Sequence, residues 1–196
     1  MKVGLLGGSF NPLHLGHIAI AKKAFLELDL DKVWFLPAGN PPHKTQEGMI
    51  DFKTRLKLIS ESLSSFNHFE VSALDNRKNN FSYSLELIKR LKSTYPDYHF
   101  FFLIGEDNVN DLKNWYKYRE LLEEVQFVVF TRPGSDKKKW EELDYLDKLK
   151  FIRMKPFNVS STKIKKRWKE GKSIKSLVPQ PIYQYLLKNP SVFEGS

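Results

Sequence analysis

Cysteine is absent from the 196-residue chain, which excludes disulfides, thiolate metal sites and cysteine nucleophiles together and agrees with a reducing compartment. No apolar run is long enough to cross a bilayer. The opening MKVGLL reaches glycine before a signal-peptide core could form, so the expected location is cytoplasmic, with no membrane partner. Internal repeats and low-complexity segments are also missing. Acidic residues are in deficit, 23 against 32 Lys and Arg, for a net charge of +9. Such a balance favours polyanions: nucleic acid, an anionic surface or small phosphorylated molecules. Charge alone does not separate these, and a solvated basic face accounts for it equally well. Two phosphate signatures are lacking as well. There is no G-x-G-x-x-G and no G-x-x-x-x-G-K-[ST], which removes the dinucleotide and P-loop readings at the residues they need.

What remains is an ordinary globular composition, 41% hydrophobic with four Trp, in a chain long enough to bury a core. Short apolar runs predict strands at 2–6, 32–38, 69–74, 98–105, 126–132 and 150–155. Helical spacing falls between them. It covers 17–28 (Ile18, Ala21, Phe25, Leu28), 51–63 (Asp51 as cap; Leu56, Ile59, Leu63 inward), a Ser-capped segment from about Ser82 to Thr94, and 115–124. Two terminal helices follow, and the Lys-rich stretch 136–142 reads as a surface insertion. This alternation predicts an α/β fold, a doubly wound, mostly parallel, Rossmann-like sheet with C-terminal helices. The whole of 1–196 reads as one domain, with 179–196 a closing helix and tail. In such sheets ligands lie beyond the carboxyl ends of the strands, so those loops are where chemistry is expected.

The first of these loops is GGSFNPLHLGH, residues 7–17. Gly7 and Gly8 allow a ligand close to the backbone, and the following helix offers its N-terminal amides to an anion. His14 and His17, three apart in the first turn, share one side, where their N–H groups can reach phosphate oxygens. Gly16 leaves room for a base or ribose. A plainer alternative has one histidine capping the helix and the other exposed. A metal site is the weaker version, since only His43 offers a third ligand and no H-E-x-x-H occurs.

GGSFNPLHLGH resembles the signature of nucleotidyltransferases with an H-x-G-H motif. PAGNPPHK (37–44) is similar to the loop after the second strand in bacterial nicotinate-nucleotide adenylyltransferases, which make deamido-NAD from ATP and nicotinate mononucleotide. LIGEDN (103–108) with Trp115, FTRPG (130–134) and VSSTKIKKR (159–167) extend the likeness through most of the chain. The resemblance implies a single nucleotidyltransferase domain acting in NAD biosynthesis, with ATP and nicotinate mononucleotide as partners and Mg²⁺ entering with ATP, held mainly by phosphates and water. It implies catalytic roles for His14, His17 and Lys44. The ATP side would be formed by Gly7, Gly8, Ser9, Phe10, Gly16, Gly105, Asp107, Ser160, Ser161, Thr162 and Lys165. The mononucleotide side would be formed by Asn40, His43, Tyr83, Ser84, Trp115, Tyr118 and Arg132.

Several positions depart from the family pattern. Asn11 stands where aspartate is common, Glu106 where the residue is usually small, and Lys165 where arginine is usual, losing the bidentate fork. NNFSYSLEL (79–87) follows its family segment loosely, which bears on the choice between acid and amide at the pyridine. Nicotinamide mononucleotide and phosphopantetheine are the rival acceptors. The Arg-Thr-x-Gly-x-Ser-Thr stretch of cytidylyltransferases is absent where SSTKIKK stands. From another class comes a basic nucleic-acid binder or a relic of a class I aminoacyl-tRNA synthetase. The basic residues are not interleaved with aromatics as in single-strand binders, and the chain has little space for tRNA-binding domains, so no nucleic-acid partner is expected. Whether the chain forms a homo-oligomer the sequence leaves open.

Overall fold

Valine, isoleucine, leucine and phenylalanine in near-continuous runs make strands that are buried on both faces, which is the requirement of a parallel sheet. The computed structural model, which describes residues 1–39, 48–74, 83–132, 134–135, 137–155 and 159–194, contains such a sheet. Its strands are β1 (Lys2–Gly8), β2 (Lys32–Pro37), β3 (Phe69–Val71), β4 (His99–Gly105), β5 (Gln126–Thr131) and β6 (Leu149–Arg153), in the order β3-β2-β1-β4-β5-β6. Every pairing is parallel. Leu5 lies opposite Trp34 on one side and Phe102 on the other. Along β2, Val33 and Phe35 enter one core while Trp34 and Leu36 enter the other, as a period of two requires.

Helices α1 (Leu15–Glu27), α2 (Phe52–Leu63), α5 (Ser161–Lys169) and α6 (Gln180–Lys188) contribute to one core, and α3 (Ser84–Thr94) and α4 (Tyr118–Glu124) to the other. The doubly wound expectation therefore holds, and the strand limits agree to within a few residues. Asp51 caps α2 as expected, accepting from the Thr54 N–H at 3.0 Å.

Three local expectations change. The inward face of α2 is Arg55, Leu58, Ile59 and Leu63, with Leu56 only half-buried. Helix α3 begins at Ser84 with Tyr83 as N-cap and no side-chain cap, and Ser82 lies outside the described residues. The Lys-rich stretch is no simple surface insertion, because Trp140 within it is 1% exposed and stacks on Phe151. Among the described residues no helix is long and apolar enough to cross a membrane.

Candidate active site

Strand order reverses at β1, which is flanked by β2 and β4, and the crevice beyond the carboxyl ends of β1 and β4 is where such sheets take ligands. A cleft of about 510 Å³ opens there, with Gly7, Gly8 and Gly105 at its strand ends. A β-carbon at Gly105 would meet nothing within 4 Å. The absence of a side chain at 105 therefore widens the cleft and relieves no packing.

His14 is the N-cap of α1 and is 7% exposed. Its main-chain N–H donates to His17 Nδ1 at 3.2 Å, and the two rings stack at 3.6 Å between centroids. With Nδ1 of His17 accepting, the proton of neutral His17 sits on Nε2. Phe10 is 2% exposed and meets the His17 ring edge-on at 4.9 Å. Its φ of 43° is left-handed, a strained choice for a bulky side chain, and it underlies the imidazole without lining the cleft.

His14 Nδ1 is buried with no partner among the described residues, and a β-carbon at Gly16 would come within 3.0 Å of it. The enclosed edge of this ring is thus the Nδ1 edge, which leaves the Nε2 edge to the cleft. Burial lowers the His14 pKa from 6.5 to about 4, so in the free protein this ring offers a hydrogen bond and no charge. The sequence-based alternative of one capping and one exposed histidine is half right. His14 does hold the N-cap position, with no side-chain cap bond, yet it is the more enclosed of the two and both line the cleft.

The shift at His14 makes stability depend on pH. The unfolded chain takes up this proton near 6.5 and the folded chain only near 4. The contribution is complete above pH 6.5 and is lost as pH falls toward 4, by about 3 kcal/mol for a shift of this size. Urea unfolding at pH 7 and pH 4.5 should therefore show a smaller stability loss in His14→Gln than in the wild type.

The rim gathers side chains from both halves of the sheet. Ser160 caps α5, accepting from the Lys163 N–H, and the Ser161 hydroxyl donates to the Pro12 carbonyl at 3.1 Å. That bond ties the start of α5 to the first loop, and Ser160, Ser161 and Thr162 all face the cleft. Lys165 does not. One turn deeper in the helix, its Nζ donates to the Gly48 carbonyl at 3.2 Å and lies 5.2 Å from the Phe193 ring centroid. The same carbonyl accepts from Asn11 Nδ2 at 3.0 Å while Asn11 Oδ1 accepts from the Ile50 N–H at 3.1 Å. Asparagine at 11 uses both ends of its amide here, and an aspartate would have no donor for Gly48.

After β4, Asp107 pairs with Arg132 at 2.7 Å, so two residues assigned to different substrates meet each other. Glu106, its side chain only 10% exposed, accepts from the Arg132 main-chain N–H at 3.1 Å and from the Ser135 hydroxyl, with Lys139 Nζ at 3.8 Å. A carboxylate at this position pins the loop that follows β5.

Trp115 lines the cleft with its edge toward Phe102 and Phe127. Ser84 and Tyr83 line it at the start of α3, where Tyr83 stacks on Tyr116 at 4.5 Å. Tyr118 is directed elsewhere. It opens α4, and its ring meets Tyr145 at 5.5 Å. Lys117 between them takes a left-handed φ of 48°, and of residues 116 and 118 only Tyr116 lines the cleft. Asn40, His43 and Lys44 lie outside the described residues. Sequence reasoning missed Tyr116 and Lys155, both on the cleft wall. Lys155 could have been found by its place just past the carboxyl end of the last strand.

The family model described as cytidylyltransferase-like matches residues 5–167. A protein of Exiguobacterium sibiricum named "Probable nicotinate-nucleotide adenylyltransferase" is 39% identical over 190 residues, covering 95% of this chain and 96% of the relative. The chain belongs to the nicotinate-nucleotide adenylyltransferase family. A second such relative, from Shouchella clausii and named in the same words, is 37% identical over 185 residues, covering 94% of this chain and 93% of its own. In fold, this member of the family is similar to Plasmodium falciparum nicotinic acid mononucleotide adenylyltransferase complexed with NaAD. That structure superposes with a TM-score of 0.81 at 18% identity, covering 100% of this chain and 98% of the other.

Proposed function

We propose that the cleft joins ATP to nicotinate mononucleotide, giving deamido-NAD and pyrophosphate in NAD biosynthesis. The observation that carries this reading is the His14–His17 pair, stacked at the start of α1 and facing the cleft between β1 and β4. A phosphate oxygen of the mononucleotide attacks the α-phosphorus of ATP. The new O–P bond forms as the bond to the β-phosphate oxygen breaks, and pyrophosphate leaves. The nucleophile is already an anion at neutral pH, so alignment and charge stabilisation suffice and no base or covalent intermediate is required.

In this reading the imidazole N–H groups, the start of α5 and Lys44 receive the triphosphate, and Gly7–Ser9, Gly105 and Asp107 border the adenosine. Magnesium comes with ATP as substrate. Mg²⁺ commonly keeps its waters and phosphate ligands, which suits an ion that enters with the triphosphate.

On the mononucleotide side, Trp115, Tyr83 and Tyr116 offer aromatic surface to the pyridine ring. The amide end of α3 at Ser84 offers its positive dipole to the carboxylate, which favours the acid over the amide. Tyr116→Ala should raise KM for the mononucleotide about tenfold, the scale of one aromatic contact, and Tyr118→Ala should leave it within about twofold. Steady-state kinetics on the two variants separates the assignments. The reading itself is tested by pyrophosphate release from ATP with nicotinate mononucleotide, nicotinamide mononucleotide and phosphopantetheine in parallel. Release chiefly with the first is expected, and release only with the last would overturn it.

A further inference from the structure

Arg55, on α2, is 2% exposed, yet no carboxylate lies within ion-pair distance among the described residues. Its donors go to main-chain carbonyls. Nε donates to Ile50 at 2.9 Å, Nη1 to Ser9 at 2.6 Å and Nη2 to Ala38 at 2.9 Å. These acceptors belong to three separate stretches: the loop after β1, the end of β2 and the segment entering α2. Ser9 and Ala38 line the cleft, and Arg55 does not, so the guanidinium stands directly behind the wall.

A buried cation is costly unless its donors are satisfied. A planar fork with five N–H groups can serve three diverging acceptors, whereas an ammonium on a flexible stem concentrates its charge at a single point. The Ile50 acceptor is part of a larger anchor. Asn11 and Lys165 hold Gly48, and Asn11 also holds the Ile50 N–H, so the same short stretch is gripped from the first loop, from α5 and from Arg55.

We infer that Arg55 is a positioning residue of the transfer reaction, setting from behind the spacing between the Gly8–Ser9 wall, the end of β2 at Ala38 and the 48–50 stretch. The inference rests on the reading of the cleft as a nucleotidyl-transfer site. Substrate binding tolerates a small misplacement of these walls better than the aligned displacement does, so the effect falls on kcat.

The test uses Arg55→Lys and Arg55→Ala at a temperature where both are folded by circular dichroism. Arg55→Lys should lose about 100-fold in kcat with KM for ATP within roughly threefold. Amide hydrogen exchange should quicken together around residues 9–13, 38–39 and 48–51, while β4 stays protected. Arg55→Ala should regain turnover when guanidinium is added at tens of millimolar, and not with sodium at equal ionic strength. Wild-type kcat in Arg55→Lys would overturn the inference. So would a loss in Arg55→Ala fully explained by the unfolded fraction and insensitive to guanidinium. If the wild type itself proves inert with nicotinate mononucleotide, the functional reading fails, and the exchange pattern still decides the tether: concerted loosening upholds it and unchanged exchange sinks it.

Discussion

His17→Ala should lower kcat by about 100- to 1,000-fold and change KM for ATP by less than about tenfold, the pattern expected for a donor that acts mainly in the transition state. The expectation follows from how the ring is held. Its Nδ1 accepts from the His14 N–H at 3.2 Å, one face stacks on His14 and an edge of the pair rests on Phe10. A ring fixed on three sides loses little entropy when a charged oxygen develops beside it, so its hydrogen bond costs no reorganisation as the reaction proceeds. Truncation also removes the acceptor for the His14 N–H and unstacks His14, which makes the two losses interdependent. The double variant His14→Ala/His17→Ala should fall well short of the product of the single effects. Steady-state kinetics on the three variants checks this, and an unchanged kcat in His17→Ala would remove the ring from the reaction.

Gly16→Ala should cost about 100-fold in kcat with the chain still folded. Taken alone, alanine favours a helix over glycine by about 1 kcal/mol. Here the new methyl would stand 2.8 Å from Val159 Cγ1 and 3.0 Å from His14 Nδ1. Both neighbours are buried, Val159 being 7% exposed and stiff at χ1. Relief must come from moving the segment before α5 or the His14 ring, and overpacking of this kind costs about 1–3 kcal/mol. The opposing terms nearly cancel in stability, while the displacement falls on the site. Gly105→Ala provides the contrast, since nothing stands within 4 Å of its β-carbon, and its unfolding midpoint should match the wild type. Thermal unfolding and turnover on both variants test the argument, and wild-type turnover in Gly16→Ala would show that the close approach is dispensable.

The alternation of short apolar runs with amphipathic segments carried the sheet and its two helical layers, because a two-faced parallel sheet leaves a hydrophobic trace that needs no tertiary information. The place of the first loop was equally legible, since glycines at a strand end and histidines at a helix start mark it locally, and Gly7, Gly8, His14 and His17 all line the cleft. Arg55 was not. A helical period picks apolar residues, and a buried guanidinium is visible only when the three carbonyls that receive it have been brought together. Tyr116 escapes the reading that picks Tyr118, because a left-handed residue, Lys117 at φ 48°, turns the chain between them. Such turns leave no periodic signal. Lys165 was assigned to phosphate on sequence position within the helix start, while its side chain is drawn to Gly48 and Phe193. Glu106 departs from the small residue usual in the family because here a carboxylate gathers the loop after β5, a partnership between residues about 26 positions apart.

In the proposed reaction the cleft brings about a single in-line displacement at the α-phosphorus by alignment and hydrogen bonding, with no covalent stage on the protein. The direct measurement is the configuration of the product formed from nicotinate mononucleotide and ATP carrying a chiral α-thiophosphate. Inversion at phosphorus is the result predicted. Retention would require a second displacement through an adenylylated side chain, and would contradict the account.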